Sequence, residues 1–318
     1  MKSFFKKILN FVFYKRKKCV AKKYYKRFKR NSFVNGVYKN QYQYEAQIIK
    51  MYHSIEKGLA YSKFRAGFGR QNVDELVSAM ENYSREYDIE AFFYKTALSV
   101  LKEYIAKNEL FGYVDNDLKN KIESLKGTPN KCGGVINYEF FANSQYESYD
   151  EFVYSRHSIR EFSDVPVEIE RIKEALALAQ YTPSACNRQG WKTRIVVDKD
   201  KIKKILANQN GNRGFGENID KLLVITSDIR YFSKDREIHQ PFIDGGMYAM
   251  NVLHALHSKN IATIPLSASL RDDQEEAVRE CIKLDDAEVL ILFIGIGNYL
   301  KEVFVTKSER HESRTEII

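Results

Sequence analysis

Four side chains within five residues could bind an anion together. Arg156, His157, Ser158 and Arg160 occur in the sequence RHSIR. The guanidinium of an arginine presents a fork of N–H donors that matches the oxygens of a phosphate, and a hydroxyl or an imidazole adds a single hydrogen bond. The stretch therefore predicts a phosphate site. The alternative is an ordinary surface segment in which Ser158 caps a helix.

A second polar stretch, Thr182 to Gly190, follows about two dozen residues later and carries almost no charge. It offers a hydroxyl at Ser184 and side-chain amides at Asn187 and Gln189, and Trp191 closes it. Neutral donors and acceptors of this kind suit a heterocycle or a sugar-like chain. Together the two stretches predict a site for a phosphorylated, ring-bearing cofactor.

These residues need a folded scaffold, and the composition is suited to one. The chain has 318 residues, of which 44% are hydrophobic, so it has room for two modest domains or one elaborated domain. Residues 1–44 contain fourteen Lys or Arg and no acidic residue, which leaves 37 basic and 42 acidic residues in the remainder. The net charge of +9 is therefore a property of the N-terminal arm. The mildly acidic body argues against a nucleic-acid-binding fold.

Several other patterns are excluded as sites. The four cysteines are scattered and form no C-x-x-C pair, so neither a disulfide framework nor a metal site is predicted, and a reduced, cytoplasmic setting fits. The stretch Gly295-Ile-Gly297 lacks the third glycine of a dinucleotide-binding turn. No G-x-S-x-G motif occurs, which argues against a hydrolase built on Ser158 and His157.

The basic arm spans residues 1–41. Its bulky apolar residues could cover one face of a short helix, and they are Phe4, Phe5, Ile8, Leu9 and Phe11. The apolar run is too short for a signal peptide or for a bilayer span, which needs about 20 residues. Two interpretations stay open. Residues 1–30 could lie as a helix on the anionic inner face of the cell membrane, or the arm could be solvated or packed on its own body.

Residues 42–125 show helical spacing throughout and predict an antiparallel helical subdomain. The clearest amphipathic helix is Ala91 to Asn108. Its predicted buried stripe consists of Phe92, Leu98, Leu101 and Ile105. Residues 126–150 are rich in Gly, Pro, Asn and Ser and are predicted to be a linker on the surface.

The motif YHSIEKGL predicts a helix that ends at Gly58 and carries His53, Glu56 and Lys57 on one face. Two potential ligands are too few for a metal site. The residues are therefore interpreted as a hydrogen-bonded cluster that fixes the subdomain, in preference to a direct catalytic role.

The C-terminal half mixes helices and strands. Predicted helices cover Ile169 to Gln180, Phe242 to Ser258 and Asp273 to Ile282. Predicted strands cover Arg194 to Val197, Leu222 to Thr226 and Val289 to Ile294. Because the elements do not alternate regularly, an α+β sandwich is favoured over a doubly wound sheet.

The sequence motifs RHSIREF and PSACNRQGW, in this order and spacing, resemble the opening signature of the nitroreductase family of FMN flavoproteins. The likeness extends from about Tyr154 to the C-terminus. It implies an FMN-binding α/β sandwich with a mixed sheet over residues 151–318, preceded by the helical subdomain. It also implies a homodimer with the flavin at the interface, for which DGGMYAMNVLHAL resembles the family's long interface helix.

The resemblance assigns expected roles to particular residues. The phosphate, ribityl chain and ring edge of FMN would be held by Arg156, His157, Ser158 and Arg160. The loop that reaches the flavin of the partner subunit would supply Ser184, Ala185, Asn187 and Gln189, with Gly190 where the family usually has proline. Backbone amides near the ring would come from Ser267 and Ala268, and Asn212 is a weaker match to a ring-contacting asparagine. A closing K-S-x-R phosphate clamp would consist of Lys307, Ser308 and Arg310.

The activity implied by the resemblance is ping-pong hydride transfer from NADPH or NADH through FMN to a small-molecule acceptor. Arg160 would be the catalytic residue, because its charge would stabilise negative charge on the flavin. Two alternatives stay open. The word H-x-I-E-K-G-L also resembles a subgroup linked to bacterial surface-polysaccharide biosynthesis, which allows an accessory protein at the membrane. A flavin-consuming or dehydrogenating relative with the same fold is the other.

Overall fold

The structure is a computed structural model that describes residues 22, 25, 38, 40–139, 146–232 and 235–318. It divides into two compact units. The helical unit comprises Phe28–Tyr138 and Val303–Ile318, and the sheet unit comprises Met1–Arg27 and Glu139–Glu302. The apolar residues of the predicted basic arm lie outside the described residues.

The elements follow one another in this order along the chain. The helices are α1 (Gln41–Leu59), α2 (Arg70–Tyr83), α3 (Phe92–Leu110), α4 (Asn116–Ser124), α5 (Tyr149–Ser155), α6 (Ile169–Ala179), α7 (Lys199–Ala207), α8 (Gln240–Ser258) and α9 (Asp272–Ile282). The strands are β1 (Val135–Glu139), β2 (Trp191–Val196), β3 (Lys221–Asp228), β4 (Ala262–Ser267), β5 (Glu288–Gly297) and β6 (Glu302–Thr306). Among the helices of the described residues, none is long and apolar enough to cross a bilayer.

Helix α3 is the central helix of the helical unit and packs against α1 and α4. The predicted stripe is right at Leu98 and Leu101, which are buried, but Phe92 and Ile105 are only half-buried. Phe93, Tyr94, Ala97, Val100 and Tyr104 are buried as well. The apolar surface of α3 is therefore wider than one stripe, because neighbouring helices cover more than one of its faces.

The predicted surface linker is partly a structural element of the helical unit. Strand β1 pairs with β6, so residues from the linker and from the C-terminal end form a two-stranded sheet. Gly133 and Gly134 are buried, and the Gly134 N–H donates to Glu56 Oε1 over 3.0 Å. Glu56 Oε2 lies 3.2 Å from His53 Nδ1, so this cluster does form hydrogen bonds. The compact units thus differ from the predicted domains at residues 126–138 and 303–318, which group with the helical unit.

The sheet unit contains a four-stranded sheet in the order β2-β3-β5-β4. This combination with helices confirms the predicted α+β class. The expected mixed sheet is not found among the described strands, since each of the three pairings is antiparallel. Strand β3 is buried at all eight positions, which shows that both of its faces are covered. Helix α8 packs across the sheet, and α6 packs on α8.

Substitution of Gly134 tests how much its turn contributes to the stability of the helical unit. Its φ is +107°, and a Cβ atom there would overlap the Glu103 carboxylate, which accepts the Val135 N–H over 3.1 Å and would have to move. We expect Gly134→Ala to lower the free energy of unfolding by about 3 kcal/mol, because backbone strain and overpacking add. The measurement is urea unfolding followed by circular dichroism.

The matched control is Gly112→Ala. Gly112 has a φ of +80°, but a Cβ atom there would meet nothing within 4 Å. This variant should lose only the backbone contribution, about 1 kcal/mol. Equal losses in the two variants would contradict the packing argument.

Candidate cofactor site

The RHSIR segment lies between helix α5 and the edge strand β4. Arg156 directly follows α5 and has an extended backbone. Ile159 is fully buried, and its N–H donates to the Thr263 carbonyl of β4 over 2.8 Å. Arg160 is only 8% exposed, and its Nη1 donates to the Ser158 carbonyl over 3.4 Å. The structure therefore brings the predicted phosphate-binding residues together along one edge of the sheet.

A buried histidine of α8 contacts the residue just before this segment. His257 is 1% exposed, and its Nε2 lies 2.8 Å from Ser155 Oγ and 3.1 Å from the Tyr146 hydroxyl. Its Nδ1 lies 3.2 Å from the hydroxyl of Tyr299. The Phe152 ring packs against the imidazole at 5.1 Å between centroids. Sequence reasoning missed His257, since nothing around it in the chain marks it as special.

The charges near the segment favour an anion. Burial, followed by electrostatic interactions with Arg156, His254 and His157, lowers the pKa of His257 to about 4. Burial and then Arg156 also lower the pKa of His254. Since Arg keeps its charge at all physiological pH values, Arg156 brings a permanent positive charge beside neutral imidazoles. This donor set fits a phosphate group.

The second predicted loop has a strained backbone. Cys186, Asn187 and Gln189 adopt left-handed conformations with φ of 53°, 53° and 49°. Such conformations cost about 1 kcal/mol each in non-glycine residues and are concentrated at functional sites. The Ser184 hydroxyl accepts a hydrogen bond from the Gln189 N–H over 2.9 Å, which closes the loop on itself.

The buried carboxylate of Asp244, near the start of α8, holds the loop on this helix. Asp244 is 1% exposed, and its Oδ2 accepts from the Ala185 N–H over 3.2 Å. Gln240 donates to its Oδ1 over 2.7 Å. The loop conformation therefore depends on a contact to α8.

Arg188 is a second residue that the sequence did not single out. Its Nη2 lies 2.7 Å from Glu237 Oε1, and its Nε donates to the Ala185 carbonyl over 2.9 Å. Its guanidinium lies over the Phe232 ring at 4.8 Å. Gly190 packs nearby, and a Cβ atom there would lie 3.3 Å from Tyr231 Cβ. A side chain at position 190 would therefore contact Tyr231.

Trp191 follows the loop as the first residue of β2. It is 7% exposed and stacks on Tyr248 with 4.8 Å between ring centroids and 5° between planes. Its Nε1 donates to Gln180 Oε1 over 2.9 Å. Trp191 is therefore a core residue of the sheet unit.

Asn212 and Ser267 are joined through Gln209. Gln209 is 7% exposed, and its Nε2 donates to the Ser267 carbonyl over 3.1 Å. Its Oε1 accepts from Asn212 Nδ2 over 3.0 Å. Asn212 Nδ2 also donates to the Leu206 carbonyl, so this amide group stabilises its own turn. The Ser267 hydroxyl accepts from the Ser269 N–H and shapes the turn that contains Ala268.

A cavity of about 780 Å³ lies between α7 and residues 212–219. Of the predicted cofactor residues, only Asn212 lines it. The cavity therefore does not coincide with the donor set around Arg156, and we assign the candidate site on the donor set.

The three predicted clamp residues belong to the helical unit. Lys307 Nζ donates to the carbonyls of Lys131 and Gly133, each over 3.2 Å. The Ser308 hydroxyl lies 2.7 Å from that of Thr306. Arg310 is exposed. They therefore belong to a different unit from the donor set around Arg156.

Residues 153–212 and 206–298 match the sequence profile of the family described as "Nitroreductase family". The matched region includes RHSIR, the strained loop, Gln209 and helix α8. The match covers less than half of the chain and lies within the sheet unit, which is therefore similar to this family over residues 153–298.

Three individual proteins are similar to parts of this chain. A protein of Archaeoglobus fulgidus with the provisional name NADH dehydrogenase/NAD(P)H nitroreductase is 25% identical over 150 residues, covering 46% of this chain and 83% of that protein. The chloronitrobenzene nitroreductase of Comamonas testosteroni is 29% identical over 93 residues, covering 29% of this chain and 37% of that protein. The solved structure of an FMN-dependent nitroreductase from Clostridium difficile superposes with a TM-score of 0.41 at 23% identity, covering 46% and 85% of the two chains.

The depressed pKa of His257 predicts a pH dependence of the sheet unit. In the unfolded chain its pKa is near 6.5, so the unfolded state takes up a proton below that pH while the folded state, with a pKa of about 4, does not. Stability is therefore complete above pH 6.5 and falls as the pH drops toward 4, by about 2 kcal/mol at pH 5. Fluorescence of Trp191, the single tryptophan, should report this during urea unfolding.

Two variants separate this histidine from the others. His257→Phe should be less stable at pH 7 but should show a flatter pH dependence between pH 7 and 5. His239→Gln changes an exposed histidine and should keep the full dependence. An unchanged slope in His257→Phe would show that other groups cause it.

Proposed function

We propose that this chain is an FMN-dependent NAD(P)H oxidoreductase of the nitroreductase type. The observation that carries the proposal is the family match over residues 153–298 together with the buried donor segment at its start. FMN is the cofactor, and NADPH or NADH is the electron donor. The Archaeoglobus relative is named for NAD(P)H and the Clostridium relative for FMN, which supports both assignments.

In this proposal Arg156, His157 and Ser158 bind the phosphate and ribityl chain. Arg160 contacts the ring edge as the catalytic residue. When bound, FMN supplies the chemistry by taking a hydride from the nicotinamide and passing the electrons to an acceptor. Arg160 is 8% exposed, and a charge so shielded from water interacts more strongly with a neighbouring anion than an exposed one does.

The strained loop supplies the neutral contacts in the proposal. Ala185, Asn187 and Gln189 would reach the cofactor held mainly by a partner subunit. Asp244 fixes the Ala185 amide, so the loop is already in one conformation before any ligand binds. Ser267, Ala268 and Asn212 would lie toward the ring, with Gln209 setting their spacing. The Lys307–Ser308–Arg310 segment stays a separate proposal for phosphate binding.

The first test is an absorbance spectrum of the purified, dialysed protein. We expect the bands of oxidised flavin, and we expect them to bleach when NADPH or NADH is added without air. A double variant Arg156→Gln/Arg160→Gln should purify colourless, because it removes one guanidinium group at the phosphate and one at the ring edge. The control Arg271→Gln, at an exposed ion pair with Asp273, should stay yellow.

The spectrum also separates the alternatives. Flavin bands that do not bleach would indicate a flavin-consuming or dehydrogenating relative with the same fold. A protein that takes up no FMN would contradict the proposal and favour an accessory role in surface-polysaccharide assembly. Sedimentation with anionic vesicles would then test contact of residues 1–30 with the inner face of the membrane.

We also propose that the domain is a homodimer built on α8. One face of this helix exposes Phe242, Ile243, Gly246, Met247 and Met250, at the helical spacing i, i+1, i+4, i+5 and i+8. Phe242 and Ile243 are each 51% exposed, and a Cβ atom at Gly246 would meet nothing within 4 Å. An apolar stripe with a glycine at its centre allows another helix to approach closely.

The dimer is tested by charge on this stripe. Met247→Asp/Met250→Asp should convert a particle of twice 37.1 kDa into one of 37.1 kDa by light scattering, because both charges would be buried at the interface. The control Val197→Asp places a charge at another exposed apolar residue of the sheet unit and should stay dimeric. A wild-type monomer would refute the proposal.

A further inference from the structure

The segment that carries the predicted phosphate donors is short and fixed at both ends. Ile159, fully buried, fixes one end through its N–H bond to Thr263 of the sheet. At the other end, Ser155 lies 2.8 Å from His257 Nε2. Only Arg156, His157 and Ser158 lie between these two points.

Helix α5 cannot fix this end by its own burial. None of its seven residues, all of them described, is fully buried. Its contacts to α8 are aromatic and imidazole contacts, with Phe152 at 5.1 Å from the His257 ring and 5.5 Å from the His254 ring. Tyr146, three residues before α5, reaches the same Nε2 as Ser155. The start of the donor segment therefore depends on His257.

The imidazole is suited to this task because it is buried, neutral and satisfied on both sides. In either tautomer one ring nitrogen donates and the other accepts, and hydroxyls can serve in both roles. The hydroxyls of Ser155 and Tyr146 lie at Nε2 and that of Tyr299 at Nδ1.

We propose that His257 is the positioning residue of the cofactor's phosphate site, fixing Ser155 so that Arg156, His157 and Ser158 present their donors in one conformation. His257 touches no reacting atom in this scheme and acts through the segment. The inference rests on the proposed function for its ligand, whereas the contact between His257 and Ser155 does not.

The test compares FMN with riboflavin, which has the same ring but no phosphate. We expect His257→Phe, which keeps a ring but loses the hydrogen bonds, to weaken FMN binding about tenfold, the effect of one or two hydrogen bonds. Riboflavin affinity should stay within about twofold of wild type, since the ring contacts lie elsewhere. Ser155→Ala should have a similar effect, and the double variant should be no worse than His257→Phe alone, because both remove the same contact.

A stability control is needed because His257 is buried. Val252→Ala truncates a fully buried residue of the same helix and leaves the segment untouched. It should lower the melting temperature while FMN and riboflavin affinities stay as in wild type. Equal losses of FMN and riboflavin affinity in His257→Phe, or no loss of either, would overturn the positioning role.

Hydrogen exchange of the flavin-free protein separates failure of this inference from failure of the proposed function. Backbone amides of residues 156–159 should exchange faster in His257→Phe than in Val252→Ala. If wild type binds no flavin but this difference is seen, the function is wrong and the positioning of the segment stands. If the exchange rates of the two variants are equal, the positioning is wrong whatever the flavin result.

Discussion

The hydrogen bonds at the two ends of RHSIR constrain the rest of the sheet unit. The segment carries two guanidinium groups, of which that of Arg160 is buried and that of Arg156 is half-buried. The Ile159 amide binds the edge strand, and Ser155 contacts the buried imidazole of His257 on α8. Because α8 also packs across the sheet, the strand and the helix are themselves fixed relative to each other. The packing of an apolar core thus determines where the charges lie.

The polar loop, residues 182–190, is also held by a hydrogen bond to α8, near the start of that helix. Asp244, near the start of α8, accepts a hydrogen bond from the Ala185 amide, and Arg188 pairs with Glu237. These bonds offset the cost of three left-handed residues, which an isolated loop of this sequence would avoid. One helix therefore organises two segments, with a carboxylate near its start and an imidazole near its end. Its exposed apolar stripe lies on a separate face.

In the helical unit two carboxylates accept hydrogen bonds from one turn, that of Glu56 being buried and that of Glu103 half-buried. Glu56 and Glu103 accept the amides of Gly134 and Val135, and the Gly134 carbonyl accepts the Lys307 N–H. Burying a carboxylate costs free energy unless its oxygens accept hydrogen bonds. The amides of Gly134 and Val135 supply two of these bonds. Within the H-x-I-E-K-G-L motif, Glu56 therefore connects α1 to the turn whose Gly134 carbonyl accepts the Lys307 N–H.

The sequence by itself determined the α+β class and the positions of β3, β5 and α8 to within a few residues, and it predicts a cofactor role for the two polar segments. These are local signals: apolar runs, helical periodicity and clustered donors. It did not determine β4, because Pro265 reads as a strand breaker and is tolerated only since β4 lies at the sheet edge. The pairing of β1 with β6, the burial of Trp191 and the roles of Gln209 and His257 were also decided by the tertiary structure. Ser155 and His257 are 102 residues apart, and a contact across such a distance leaves no periodic trace in the chain.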